Sequence, residues 1–226
     1  VDFGKGAYSL GDAAFYGCKA LKSVALTCTL TSYGTSVFGG CEAITDFYVG
    51  PGVATLGSGI VPVSANRLGN LTVEGNGNTA MAASLFANRT SLTNVVISGV
   101  TDLGDGLFSG CSRLANLNLK GDSLVRIGNR AFASSGLKTV TVPASVESIG
   151  TDAFASCGSL ERIDVAEGST AYASEGGVLF FLKGIHVHAF FDEFRADFVQ
   201  YAQRIQVIGD GAAGQVFGGK VGREAP

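Results

Sequence analysis

Apolar side chains return along this chain at a nearly constant interval. An aromatic or aliphatic residue recurs at steps of 23, 23, 25, 22, 24 and 22 residues, at Phe15, Phe38, Val61, Phe86, Phe108, Phe132 and Phe154. A Leu or Ile follows each of them five to seven residues later, at Leu21, Ile44, Leu68, Leu92, Leu114, Leu137 and Leu160. Such an interval is typical of repeat architectures, in which each repeat forms one coil of a solenoid. We therefore expect seven stacked coils, numbered 1 to 7 by the first set of residues.

A short segment of alternating polar and apolar residues follows each Leu or Ile. Its apolar members are Val24 and Leu26, Phe47 and Val49, Leu71 and Val73, Val95 and Ile97, Leu117 and Leu119, Val140 and Val142, and Ile163 and Val165. A period of two marks a half-buried strand. One such strand per coil predicts a parallel sheet along one face of the solenoid.

Glycine precedes the aromatic position by four residues in six coils, at Gly11, Gly34, Gly57, Gly104, Gly128 and Gly150. We predict that this glycine position marks a turn in which only glycine is comfortable. Coil 4 lacks this glycine and contains Gly75-Asn76-Gly77-Asn78 instead. This turn-forming sequence predicts a bulged loop and a local change in curvature.

Four of the five cysteines share one position, three residues after the aromatic one: Cys18, Cys41, Cys111 and Cys157. We interpret them as buried structural thiols, one per coil, because a free cysteine packs as a small apolar side chain. Cys18 and Cys41 belong to neighbouring coils and are expected to stack. The sequence leaves open whether these two cysteines form a disulfide, and Cys28 has no evident partner.

Composition agrees with a packed core and excludes some partners. Of the 226 residues, 46% are hydrophobic and 15% are charged. The net charge of −3 gives no electrostatic reason to expect nucleic acid or an anionic membrane as a partner. No apolar run approaches the ~20 residues needed to span a bilayer. The first residues, Val1-Asp2-Phe3-Gly4, contain neither an initiator Met nor a signal-peptide pattern, so we expect a processed product or an excised fragment.

The segment Ile149–Leu160 resembles the repeat of a known family. Its Ile149-Gly150, Ala153-Phe154, Cys157 and Leu160 match the pattern Ile-Gly-x-x-Ala-Phe-x-x-Cys-x-x-Leu of the BspA-like, Treponema pallidum-type leucine-rich repeat surface proteins. The resemblance covers roughly residues 1–182, and residues 165–180 are similar to a hairpin-forming unit that closes or interrupts such arrays. It implies a non-enzymatic, extracellular or cell-surface module for adhesion and protein–protein interaction, without catalytic residues or cofactors.

The pattern changes after Phe180. Gly184 predicts a hairpin turn between Val178–Leu182 and Ile185–Phe190, and the aromatic spacing after it predicts an amphipathic helix over Phe191–Arg204. We interpret this helix as a cap on the last coil, since solenoid ends must be covered. Docking of a partner is the alternative role for this helix.

These observations predict one domain with the fold of a leucine-rich-repeat solenoid. It has about seven coils of 22–25 residues over residues 1–182, with a parallel sheet on one face. Residues 183–226 are expected to form the hairpin, the helical cap and a C-terminal tail.

Three short segments near the C-terminus partly match known chemical sites. Gly209–Gly214 matches G-x-G-x-x-G, but only 12 residues follow it, too few for a dinucleotide-binding unit. Gly214–Lys220 resembles a phosphate-binding loop but is followed by Val221 in place of Ser or Thr. His186 and His188 would share one face of a strand, and Asp192 or Glu193 could complete a zinc-type site. Two imidazoles packed in the hairpin are the preferred interpretation, so we predict no metal site and no cofactor.

The outward positions of the strands offer a candidate binding surface. Its residues are Asp46, Tyr48, Asn70, Thr72, Asn94, Asn116 and Asn118. Asn70, Asn94 and Asn116 are expected in one column. That column could bind a peptide or glycan by hydrogen bonds, or form a ladder in which each amide bonds to the next.

We predict from these residues a non-catalytic recognition or adhesion module of a secreted or cell-surface protein. It would bind a protein or a carbohydrate through the strand face. The alternative is a structural subunit packed in a larger assembly. A metal-dependent enzyme centred on His186 and His188 is the third hypothesis.

Overall fold

The computed structural model describes residues 1–62 and 64–182. Within these residues the chain consists of strands joined by turns, without a helix. The strands are β1 Ala7–Leu10, β2 Ser23–Leu26, β3 Thr29–Tyr33, β4 Asp46–Val49, β5 Thr55–Leu56, β6 Asn70–Met81, β7 Asn94–Val100, β8 Asp102–Leu103, β9 Asn116–Lys120, β10 Arg126–Ile127, β11 Thr139–Val142, β12 Ser148–Ile149, β13 Arg162–Val165, β14 Tyr172–Glu175 and β15 Val178–Phe181.

The predicted parallel sheet is present on one face of a solenoid of about seven coils. Strands β2, β4, β6, β7 and β9 pair in that order, and β11 pairs with β13. The alternation predicted from the sequence holds, because Phe47 and Val49 of β4 are buried while Asp46 is exposed. At the N-terminal edge, Asp2 forms a parallel bridge to Ala25 of β2.

Each coil also contains a second strand segment, which the sequence analysis did not predict. These segments end immediately before the glycine position. They comprise β1, β3, β5, the end of β6, β8, β10 and β12. Strands β8, β10 and β12 form one continuous ladder on this side. Each of these three has only two residues, too few to show an alternating pattern in the sequence.

The aromatic residues stack in the core on the third side of the solenoid, which contains turns and, in the described residues, no strands. The rings of Phe86, Phe108, Phe132 and Phe154 lie 5.4 to 5.6 Å apart between neighbours and are tilted by 12° or less. Phe15 and Phe38 stack in the same way, with centroids 5.3 Å apart. The rings therefore form two stacks, one in coils 1 and 2 and one in coils 4 to 7, separated by Val61 in coil 3.

The turn around each aromatic residue contains residues with left-handed backbone conformation. They lie two residues before and two residues after the aromatic position. The non-glycine members are Ala13, Ser36, Ser84, Asn88, Arg130, Ser134, Asp152 and Ser156, with φ between 51° and 59°. Gly17, Gly40, Gly106 and Gly110 occupy equivalent positions in other coils.

The prediction that only glycine is comfortable at the glycine position holds at Gly34, Gly128 and Gly150. None of the glycines at that position is left-handed in the structure. At these three sites the preceding coil leaves no room for a side chain. A Cβ on Gly34 would lie 2.5 Å from the backbone nitrogen of Asp12, and one on Gly150 would lie 2.4 Å from that of Asn129. Gly11, in coil 1, has no such neighbour within 4 Å.

Coil 4 is irregular, as its sequence predicted, although the segment is a bulged strand and not a loop. Strand β6 continues through Gly75–Asn78, and its pairing with β7 shifts register between Glu74 and Thr79. Its last two residues then pair with β5. One long strand therefore passes from the main sheet to the second side of the solenoid.

A hairpin covers the C-terminal end of the described coils. Strands β14 and β15 pair around Gly176-Gly177. The Tyr172 hydroxyl accepts a hydrogen bond from the Ile149 N–H (2.8 Å), and the Gly177 carbonyl accepts one from the Ile163 N–H (2.9 Å). The first contact joins the hairpin to β12 and the second joins it to β13, which are the last strands on the two sides of the solenoid.

β15 pairs with the preceding strand around two left-handed glycines, in the region that resembles the hairpin-forming unit of residues 165–180. The predicted turn at Gly184, the strand Ile185–Phe190 and the helix Phe191–Arg204 lie outside the described residues.

The main sheet is interrupted between β9 and β11, where no strand ladder joins the two. Coil 6 has one residue fewer than most coils between its Ser135 and Leu137, so its path to β11 is shorter. The Gly136 N–H bonds to the Cys111 carbonyl (3.1 Å) in this shortened connection. Leu117 and Leu119 of β9, beside this interruption, are half-buried, whereas the inward residues of β4 are fully buried. We call this interruption the sheet break.

Candidate binding surface

The outward side chains of β4, β6, β7 and β9 form two columns across the sheet. The first column aligns Asp46, Asn70, Asn94 and Asn116 by strand register. The second aligns Tyr48, Thr72, Val96 and Asn118. The structure therefore brings all seven predicted binding residues together on one face.

The first column is a hydrogen-bonded ladder. Each amide donates from Nδ2 to Oδ1 of the preceding coil: Asn116 to Asn94 (2.6 Å), Asn94 to Asn70 (2.7 Å), and Asn70 to Asp46 (2.7 Å). Asp46 also accepts a bond from the Thr45 hydroxyl (2.6 Å). Of the two arrangements that the sequence left open, the structure shows the ladder, which we call the amide ladder.

The amide ladder does not exhaust the hydrogen-bonding capacity of its side chains. An Asn side chain has two N–H donors and two carbonyl lone pairs. Asn70 uses one donor and one acceptor within the ladder. Asn70 and Asn116 are exposed, so their remaining groups are available to a ligand.

Tyr48 is fixed by an acidic residue that the sequence analysis missed. Its hydroxyl donates to Glu74 Oε2 (2.7 Å), and this bond raises the pKa of Tyr48 to about 12. The sequence analysis ended this strand at Val73, whereas β6 continues through Glu74 as a further outward position. Polar and apolar residues alternate from Asn70 to Glu74, and this alternation could have revealed that Glu74 is an outward residue of the strand. Glu74 begins a third column, aligned with Ser98 and Lys120.

A second set of polar side chains connects neighbouring coils at the short strands β8, β10 and β12 and in the turns that follow them. Asp105 accepts a hydrogen bond from the Asn129 N–H (2.9 Å), and Asn129 Oδ1 accepts one from the Thr151 N–H (2.8 Å). Arg126 lies 2.8 Å from Asp102 and also bonds to Asp105. The Asn129 backbone N–H, with Arg126 second, lowers the pKa of Asp105. These side chains hold backbone groups of the neighbouring coil, so we assign them a structural role.

The described residues contain no metal-binding cluster, and the two grooves found on their surface are small. Among them, no cluster of three or more His, Cys, Asp or Glu side chains could hold a metal ion. Two surface grooves have volumes of about 250 and 90 Å³, and residues 30–33 and 53–55 line the larger one. Both are smaller than the pockets of roughly 300–1,000 Å³ that usually hold small ligands. His186, His188, Asp192 and Glu193 lie outside the described residues.

The repeats of this chain match a known protein family. A family model described as the BspA type leucine rich repeat region matches this chain in six copies, over residues 1–97 and 79–175. The chain belongs to this family. The resemblance noted in the sequence is thereby confirmed. The parallel coils and stacked aromatic residues described above are the structure of these BspA-type repeats.

Solved structures of several bacterial proteins are similar to this chain. A leucine rich cell surface protein from Faecalibacterium prausnitzii is 28% identical, with a TM-score of 0.47 over 77% of this chain and 42% of that one. The pneumococcal vaccine antigen PcpA is 21% identical, with a TM-score of 0.43 over 77% of this chain and 34% of that one. A leucine-rich repeat protein from Bacteroides ovatus is 20% identical, with a TM-score of 0.40 over 70% of this chain and 58% of that one.

The BspA-type chain spans less than two thirds of the length of each of these three proteins. No curated protein matches it. In the part of the chain that the structure describes, no helix has the length and hydrophobicity needed to cross a membrane.

Proposed function

We propose that this BspA-type chain is a non-catalytic recognition module of a secreted or cell-surface protein. It binds a protein or a carbohydrate through the outward face of β4, β6, β7 and β9. The observation that carries the proposal is the amide ladder, which presents aligned polar groups on a rigid sheet. Family membership supports it, because leucine-rich repeat proteins commonly mediate protein interactions.

The amide ladder prepares the surface for a polar ligand before the ligand arrives. Hydrogen bonds between neighbouring Asn side chains fix rotamers that would otherwise lose entropy on binding. Asn70 and Asn116 each keep one N–H donor and a carbonyl lone pair, whereas Asn94 uses both donors, toward Asn70 and Thr93, and keeps only an acceptor. Neighbouring strands carry these groups at intervals of about 4.8 Å. Glycan hydroxyls and peptide amides both supply the complementary donors and acceptors. Tyr48 adds a half-buried aromatic ring beside this row, held in place by Glu74.

The test is binding to an array of immobilised glycans and extracellular matrix proteins. The wild-type chain is compared with a triple variant, Asn70→Ala with Asn94→Ala and Asn116→Ala. We expect wild-type binding to at least one component and a loss of tenfold or more in the variant, because the row of donors and acceptors is gone. A second variant, Tyr48→Phe, tests whether the bond to Glu74 contributes.

The matched control is Asn66→Ala, because Asn66 is an exposed amide in a turn away from the strand face. It should bind like the wild type, and circular dichroism should show that all variants remain folded. Equal binding by the wild type and the triple variant would refute the strand face as the site. The absence of any binding component would count against the recognition role itself.

A structural subunit of a larger assembly is the second candidate. It is favoured by Tyr8 and Tyr16 on coil 1, whose exposed fractions are 41% and 67%. Sedimentation velocity distinguishes the two roles. A structural subunit should self-associate and lose that association in Tyr16→Ser, whereas a recognition module should remain monomeric.

A further inference from the structure

Two of the five thiols are stacked on each other in neighbouring coils. Cys18 and Cys41 occupy the same position of coils 1 and 2, and the equivalent side chains of coils 6 and 7, Ser135 Oγ and Cys157 Sγ, lie 3.2 Å apart. Cys41 Sγ also donates to the Phe15 carbonyl of coil 1 (3.1 Å), so its side chain points toward that coil. Cys111 and Cys157 follow Arg89 and Ser135 in the column, so neither stacks on the cysteine of a preceding coil.

The backbones beside this pair are held close together. The Phe15 N–H bonds to the Val37 carbonyl (2.8 Å), and the Gly17 N–H bonds to the Gly39 carbonyl (2.7 Å). Immediately before Cys41, a Cβ on Gly40 would lie only 3.3 Å from the Gly17 backbone. Hydrogen-bonded parallel segments lie about 4.8 Å apart. That separation falls within the Cα range of roughly 4.4–6.8 Å found for disulfides.

The two thiols differ in accessibility. Cys18 is exposed, whereas Cys41 is buried, and both are free thiols in the structure. An exposed thiol can attack a soluble disulfide, and the buried thiol can then resolve the mixed disulfide from within the protein. An exposed thiol beside a buried one can therefore be oxidised by exchange with a small-molecule disulfide.

We propose that Cys18 and Cys41 are an oxidisable pair that reacts with low-molecular-weight disulfides and closes coil 1 onto coil 2. The Cys18 thiolate attacks one sulfur of glutathione disulfide, forming a mixed disulfide and releasing one glutathione. Cys41 then loses its proton and attacks the Cys18 sulfur, which releases the second glutathione. Two protein thiols are oxidised, and one glutathione disulfide is reduced to two thiols.

The resulting bond would stabilise the end of the solenoid. Phe15 and Leu21 are only partly buried, so coil 1 has less of a core than the coils that follow it. A covalent link between neighbouring coils restricts the unfolded chain and opposes fraying of this end.

The experiment incubates the full chain with glutathione disulfide, followed by thiol titration and intact-mass spectrometry. We expect the titratable thiols to fall from five to three and the mass to fall by two hydrogens without a glutathione adduct. Cys28→Ala should still lose two thiols, whereas Cys18→Ser and Cys41→Ala should form no internal disulfide. The oxidised wild type should melt at a higher temperature than the reduced chain, and dithiothreitol should reverse the shift.

Several results would overturn the proposal. A stable glutathione adduct on Cys18 would show that Cys41 cannot resolve it. A disulfide that persists in Cys41→Ala would assign the reaction to Cys28 or to another pair. Five unreacted thiols in the folded wild type would show that the pair is not oxidised by such disulfides.

Discussion

Within residues 1–62 and 64–182, eight residues other than glycine have left-handed backbone conformations, all two positions before or after an aromatic residue. A left-handed residue with a Cβ costs roughly 1–2 kcal/mol relative to the right-handed form. The tight arc around each Phe side chain requires the conformation nonetheless, and burial of that ring offsets the cost. The sequence did not predict these positions, since Ala, Ser, Arg and Asp occupy them as well as Gly.

This conformation makes Arg130→Gly a stabilising substitution. Arg130 is exposed and has a φ of 53°, so its removal relieves backbone strain without opening a cavity. We expect the free energy of unfolding to rise by about 0.5–1 kcal/mol, since glycine's greater unfolded-state entropy cancels part of the relief. Urea denaturation measures the change. Arg130→Ala, which keeps the Cβ, is the control, and equal stabilities of the Gly and Ala variants would contradict the argument.

Asp105 makes the stability of the protein depend on pH in the acid range. Its pKa in the folded protein is lowered from 3.8, chiefly by the Asn129 N–H and then by Arg126. A lowered pKa gives a contribution that is complete above the unfolded-state value and is lost as pH falls through the folded one. We expect Asp105→Asn to be less stable than wild type at pH 7 and to lose less stability between about pH 4 and pH 2.

Urea denaturation across that pH range checks the prediction. Asp122→Asn is the matched control, because it removes an exposed carboxylate from the turn after β9. If Asp105→Asn shows the same acid dependence as the wild type, the Asp105 hydrogen bonds do not contribute as described.

At the scale of elements, alternation of apolar residues located the main strands but not the second set. Strands such as β4 contain two buried residues separated by an outward one, which is enough to define a period of two. Arg126–Ile127 of β10 contains only one buried residue. The sheet break was also not predicted, although the shortened spacing from Ser135 to Leu137 was visible in the sequence. Whether one missing residue separates two strands depends on the path of the connection, which a repeat pattern does not describe.

The sheet break should close when the missing residue is restored. We expect insertion of one Ala between Ser135 and Gly136 to let β11 reach β9 and form ladder hydrogen bonds. Amide exchange of residues 117–119 and 139–141 would then slow, because N–H groups in a ladder are protected. Hydrogen–deuterium exchange with mass spectrometry measures the effect.

Insertion of one Ala after Gly121 is the control for the added length. It extends an exposed turn but leaves the spacing between Ser135 and Leu137 unchanged. Equal exchange in the wild type and the first insertion variant would show that this spacing is not the cause of the sheet break.

For the whole molecule, stability depends on contacts between neighbouring coils, as expected of a solenoid. Phe108 is fully buried and stacks on rings in the coils before and after it. We expect Phe108→Ala to reduce the free energy of unfolding by about 3–5 kcal/mol. Phe15→Ala should have a smaller effect, since Phe15 is only partly buried. Thermal and urea unfolding of both variants test this order, and equal losses would contradict it.

The sequence predicted the solenoid fold of the molecule better than the hydrogen bonds between side chains on its surface. Seven recurrences at one interval define a solenoid, because each coil must bury the same positions against its neighbours. The alignment of Asn70, Asn94 and Asn116 followed from that interval. The ladder itself did not follow, because an outward amide can bond to a neighbour, to water or to a ligand. Side-chain rotamers decide between these, and the repeat pattern contains no information about them.

The shared direction of the amide ladder gives the sheet face an electrical polarity. Its three side-chain dipoles point the same way, with their positive N–H ends toward Asp46 and a carbonyl oxygen at the Asn116 end. Aligned amide dipoles add, as peptide dipoles do along a helix. The Asp46 carboxylate therefore neutralises the positive end, while the opposite end attracts cations and hydrogen-bond donors. A cationic or hydrogen-bond-donating group of a ligand would thus be held at the Asn116 carbonyl, where no residue of the ladder caps the row of dipoles.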